Sequence, residues 1–125
     1  MSERKITAPA NNPESEPFYK AAEEGKFLIR RCTACKKAHW YPRAVCPFCF
    51  GETAWEEASG KGVIYSYSPM RRAGYTLAYV TLAEGPTMMT NIVDTDPDSL
   101  SIGQAVKLKF VPTDGGPPVP CFTAA

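Results

Sequence analysis

A chain of 125 residues, 44% of them hydrophobic, has room for one compact domain or two very small units around a modest core. Its formal net charge of +1 lacks the strongly basic balance of a dedicated nucleic-acid binder, and no apolar run is long enough to span a bilayer. Cores of this size often depend on a metal or on disulfides.

In chain order, residues 1–14 read as a flexible polar leader. Met1 to Lys5 is not followed by an apolar stretch, so no secretory signal is expected and the expected location is cytoplasmic. A short helix follows, with Ser15 as N-cap, Pro17 in the first turn, Phe18, Ala21 and Ala22 on one face, and Gly25 as the stop. That apolar face could dock on a partner. Residues 27–30 and 54–57 read as short strands on either side of a cysteine-rich segment.

Composition changes around residues 59–62, and the remainder is β-rich. Candidate strands are Val63–Met70, Thr76–Leu82, Thr87–Val93, Ala105–Val111 and Val119–Thr123, separated by glycine and proline turns. In the fourth, Val106, Leu108 and Phe110 alternate with Lys107 and Lys109, the pattern of a half-buried strand. Five strands with one short polar interruption suggest a five-stranded barrel of the OB type. The units expected are a leader (1–14), a helix with a cysteine-rich ribbon (15–58) and a barrel (59–125).

The cysteines carry the chemistry. Cys32-x-x-Cys35 and Cys46-x-x-Cys49 are two knuckles, each able to aim both sulfurs at one centre. Four thiolates make a closed tetrahedral site, which suits a structural zinc ion because no position is left for water. A metal there would fold a segment too short to fold alone. An iron in a mononuclear site would use the same four ligands. A redox pair is a poorer reading, since such motifs occur once and follow a strand in a βαβ unit. Cys121 reads as a small buried hydrophobe, and His39, the one histidine, as a packing or surface residue. Tyr65, Tyr67, Tyr75 and Tyr79 fall on the first two barrel strands, as barrel core or as an interface. Arg71 and Arg72, with Lys61 behind them, form a basic cluster that could meet a phosphate-bearing ligand.

Taken together, Pro17-Phe18-Tyr19, Arg31-Cys32-x-x-Cys35, Pro42-Arg43-x-x-Cys46-Pro47-x-Cys49, Trp55-Glu56, Gly60–Tyr67, Gly85-Pro86, Ile102-Gly103 and Val119-Pro120-x-Phe122 resemble the acyl-CoA-associated family catalogued as domain-of-unknown-function 35. The likeness runs from Pro17 to Phe122. One departure is Lys36, where the family often has glycine. The resemblance implies a mainly β fold: a short N-terminal helix, a rubredoxin-like zinc ribbon and a C-terminal OB-fold barrel. It also implies a non-catalytic accessory or scaffold subunit of a thiolase-superfamily or other acyl-CoA-processing enzyme. The barrel or its loops would then help hold the CoA moiety, with Lys61, Arg71 and Arg72 as candidate phosphate contacts. The alternatives are a single-stranded nucleic-acid-binding protein, which the charge makes the weaker reading, and a free-standing acyltransferase or hydrolase using Cys121 or His39.

Overall fold

The computed structural model describes residues 6, 8–9, 12–40 and 42–125. Most of the expected leader lies outside the described residues. Of the part within them, the Ile6 carbonyl accepts the Asp114 N–H at 2.9 Å.

Helix α1 spans Glu16–Glu23. Ser15 occupies the N-cap position, but its side chain makes no cap bond. Ser15 already has helical dihedrals and is buried, and its hydroxyl turns back to donate to the Asn12 carbonyl at 3.2 Å. That carbonyl also accepts the Ser15 and Glu16 N–H groups, so a preceding turn does the work expected of the cap. The stop falls where the sequence puts it. Gly25 takes a φ of +80°, its N–H reaches the Ala22 carbonyl and the Lys26 N–H reaches that of Ala21, which closes the last turn.

The apolar face of α1 is consumed inside the chain. Phe18 and Ala22 are buried, and the Phe18 ring packs edge-on to Phe27 and Trp40. The helix therefore anchors to its own core, and the expectation of a free docking face does not hold.

The ribbon is a three-stranded antiparallel sheet of β1 (Leu28–Cys32) between β2 (Ala38–His39) and β3 (Thr53–Glu57). Arg30 lies opposite both His39 and Trp55, and Cys32 opposite Thr53. Strand β2 escaped the sequence reading because two residues leave no periodicity to detect.

The barrel comprises β4 (Lys61–Met70), β5 (Tyr75–Leu82), β6 (Thr87–Ile92), β7 (Ala105–Thr113) and β8 (Gly116–Ala124). It closes in the order β4-β5-β6-β8-β7, with β7 returning to β4 through Val63 and Ala105. This is the five-stranded OB arrangement. A single 3-10 turn, Pro97–Ser99, bridges β6 and β7. Inward residues include Ile64, Val80, Met88, Ile92, Val106 and Phe122, all buried. Gly62 is required where β4 crosses β5, because a Cβ there would lie 2.7 Å from Val80 Cγ1 and 2.9 Å from the Thr81 carbonyl.

Ribbon and barrel share one core. The Phe27 ring meets Phe110 at 6.3 Å and Phe122 at 6.4 Å. The junction is tied by Ala58 N–H to the Phe27 carbonyl, Ser59 N–H to Glu84 Oε2, and Leu108 N–H to the Gly60 carbonyl. Among the described residues no helix is long and apolar enough to cross a membrane.

Candidate metal centre and barrel cleft

The four cysteines converge as their spacing requires. The Sγ atoms of Cys32, Cys35, Cys46 and Cys49 all lie within 4.8 Å of one another. Cys32 and Cys49 sulfurs are 3.5 Å apart, and those of Cys35 and Cys46 3.7 Å apart. Four sulfurs at about 2.3 Å from a tetrahedral zinc would be about 3.8 Å apart, so the cluster fits one such ion.

The two knuckles share one backbone design. The N–H of the first cysteine in each donates five residues on, Cys32 to the Lys37 carbonyl and Cys46 to that of Gly51. The residue after each second cysteine donates back, Lys36 to the Cys32 carbonyl and Phe50 to that of Cys46. Both take a left-handed conformation, with φ of +67° at Lys36 and +64° at Phe50. Within the knuckles, backbone N–H groups also point at sulfur: Ala34 and Cys35 at Cys32 Sγ, and Phe48 at Cys46 Sγ, at 3.3–3.4 Å.

Those dipoles set the electrostatics. The Cys35 and Ala34 N–H groups bring the Cys32 thiol down to about 6. At Cys46 burial opposes ionisation, yet the N–H groups of Cys49 and Phe48 outweigh it and the shift is downward. At Cys49 the Gly51 N–H favours the thiolate, but the adjoining Cys32 sulfur and burial prevail and push the thiol up to about 11. Crowded sulfurs hold a proton that a divalent cation would replace. The chain can thus bind one metal ion through a rubredoxin-like ribbon, and a closed set of four thiolates gives that ion a structural role.

Other expected site residues are dispersed. His39 is buried in β2, and burial pushes its pKa down against the opposing effect of the Arg43 backbone. Cys121 is buried in β8, in a different sheet, so the structure does not join it with His39. Lys61 opens β4, whereas Arg71 and Arg72 follow its far end. They therefore stand at opposite ends of one ten-residue strand. Arg71 is held by Asp98 at 2.7 Å, and both side chains are exposed.

Arg71 instead lines a cleft of about 620 Å³ between the β4–β5 turn, the end of β6 and the second half of β7. Met70, Tyr75, Asn91, Lys109 and Val111 also line it. Lys109 pairs with Asp94 there, and Asn91 Oδ1 is buried without a partner among the described residues. The sequence reading missed this cleft, because its walls come from four segments far apart in the chain. On the outer face of β4–β5–β6, Tyr65 and Tyr79 are exposed beside Met89, while Tyr67 turns partly inward and donates to the Leu100 carbonyl.

Comparisons with known proteins follow the same division. Residues 20–56 match the family model for the ChsH2 rubredoxin-like zinc ribbon domain, and residues 55–111 that for the ChsH2 C-terminal OB-fold domain. A probable enoyl-CoA hydratase alpha subunit of Thermomonospora curvata is 35% identical over 126 aligned residues. The match takes in 94% of this chain but only 39% of that protein's length. A DUF35 domain-containing scaffold protein of Methanothermobacter thermautotrophicus is 38% identical over 90 residues, 64% of this chain and 68% of the relative. Among solved structures, an Ltp2-ChsH2(DUF35) aldolase chain superposes with a TM-score of 0.78 at 34% identity, covering 93% of this chain and 98% of that one. A DUF35 protein from Sulfolobus solfataricus shares the fold, with a TM-score of 0.68 at 13% identity.

Proposed function

The chain belongs to the DUF35 family of zinc-ribbon and OB-fold proteins, and on that premise we propose that it is a non-catalytic accessory subunit of an acyl-CoA-processing enzyme. The observation that carries this reading is the near-complete match to the DUF35 chain of an aldolase that also contains Ltp2. The likeness to part of an enoyl-CoA hydratase subunit, and to proteins named as scaffolds, supports it. The finer reading is a partner of the thiolase superfamily, with the complex working in the cytoplasm, where reduced thiols hold the metal.

In this reading the ribbon fixes the chain's shape and the barrel cleft receives the CoA end of an acyl-thioester. Arg71 and Arg72 are the phosphate contacts, backed by Lys109 across the cleft. Lys61 stands at the opposite end of β4 and is not part of the cleft's lining. Purifying the tagged chain from its native host tests the assignment. A stoichiometric acyl-CoA-processing enzyme should accompany it, and that enzyme should lose solubility or activity when the chain is deleted. A partner fully soluble and active alone refutes the assignment. CoA binding to the complex should weaken in Arg71→Ala/Arg72→Ala and not in Lys61→Ala.

A further inference from the structure

The second knuckle carries large apolar side chains that the fold does not bury. Val45 is 54% exposed, Phe48 56% and Phe50 82%, and none belongs to the core cluster. Phe50 also takes the left-handed backbone conformation that glycine adopts without strain. The backbone bond it makes there, N–H to the Cys46 carbonyl, needs no side chain. A phenyl group that strains its own backbone and gains no burial in its own chain gains that burial elsewhere.

The rim of the tip has a sign. Lys37 Nζ sits 5.1 Å from the centre of the Phe48 ring, and Lys36 is exposed on the adjoining knuckle. Glu52 pairs with Val45 and Glu14 accepts the Ala44 N–H at 2.9 Å, so the carboxylates lie toward Val45 and the cationic side of the tip is the one at Phe48. A tetrathiolate around a divalent ion adds net negative charge beneath the tip, which works against a phosphate backbone lying over it.

We propose that the second zinc knuckle is the surface by which this chain docks on its enzyme partner. Phe50 and Phe48 would enter an apolar pocket whose rim carries carboxylates facing Lys36 and Lys37. Buried aromatic anchors of this kind dominate interface energetics, while charged rims mainly set the association rate. The proposal rests on the accessory-subunit reading.

The test uses the full zinc-loaded chain, with the Ltp2 chain of the related aldolase as the binding probe and that aldolase's own DUF35 chain as positive control. Phe50→Gly should keep or raise the thermal midpoint and the zinc content, yet weaken binding to the probe at least tenfold. A structural role for Phe50 predicts the reverse: a lower midpoint with unchanged affinity. Lys36→Glu/Lys37→Glu should slow association at low salt, with the difference vanishing at high salt. Unchanged affinity in Phe50→Gly, with loss in Tyr79→Ala/Met89→Ala, overturns the proposal and leaves the accessory reading intact. If neither wild type nor variant binds while the control does, proposal and reading fall together. Retention on single-stranded DNA that Phe50→Gly abolishes would assign the tip to nucleic acid and overturn the proposal as well.

Discussion

Lys36 carries a conflict between what its side chain prefers and what the knuckle requires. Its φ of +67° turns the chain back so that the Lys37 carbonyl can accept the Cys32 N–H. A lysine Cβ resists that conformation by about 1–2 kcal/mol. Glycine accepts it but loses more chain entropy on folding. Lys36→Gly should therefore stabilise the metal-loaded chain by about 1 kcal/mol, visible as a higher midpoint in thermal or denaturant unfolding. His39 shows a different conflict. Its ring is buried beside Arg30 and Arg43, and burial outweighs the Arg43 backbone, so its folded pKa lies below the unfolded value. The sign follows: stability is complete above about pH 6.5 and is lost as pH falls through the folded pKa, by up to about 1.4 kcal/mol per pH unit. His39→Leu should flatten that slope below about pH 6.5 in unfolding experiments with metal content measured in parallel. The four cysteines were legible in the sequence because a Cys-x-x-Cys spacing is local geometry. The exposure of Phe50 was not, since exposure depends on which other segments arrive to cover it. Nor was the placement of Lys61 and Arg71 at opposite ends of one strand, which depends on where that strand ends.

Among the elements, the ribbon and the barrel were unequally readable. The alternation of Val106, Leu108 and Phe110 with two lysines announced β7, and Val106 is indeed buried while both lysines are exposed. The bulge in β4 was invisible. Ile64 pairs with Val80 but Ser66 with Tyr79, leaving Tyr65 as the extra residue, turned outward at 66% exposure. Only partner register reveals such a residue. The ribbon's sheet has strands of five, two and five residues, too little paired backbone to persist alone. Its fold is therefore expected to draw on the metal as well as on the core it shares with the barrel. Cys46→Ser should abolish stoichiometric binding of one metal ion per chain, read by elemental analysis. It should also strip hydrogen-exchange protection from β1, β2 and β3. A strong chelator applied to the wild-type chain should do the same.

Whether that loss stays in the ribbon is decided at the level of the whole molecule, by Phe27. The residue sits just before β1, yet its ring lies within ring-contact distance of Phe18 and Trp40 on one side and Phe110 and Phe122 on the other. The Ala58 N–H is bound to its carbonyl, which fixes the point where the chain leaves the ribbon for the barrel. The composition change near residue 59 marks a change of sheet, while the apolar core runs through it. Separate cores would unfold in two steps, and a shared core should unfold in one. We expect a single transition in calorimetry for the metal-loaded chain, and chelation should lower the stability of β8 amides along with those of the ribbon. Phe27→Ala should cost about 3–5 kcal/mol, the usual range for removing a fully packed ring. It should also uncouple the two parts, so that chelation then unfolds the ribbon while β4–β6 keep their exchange protection. A barrel that ignores chelation in the wild type would show that Phe27 merely touches the barrel and that the two units fold independently.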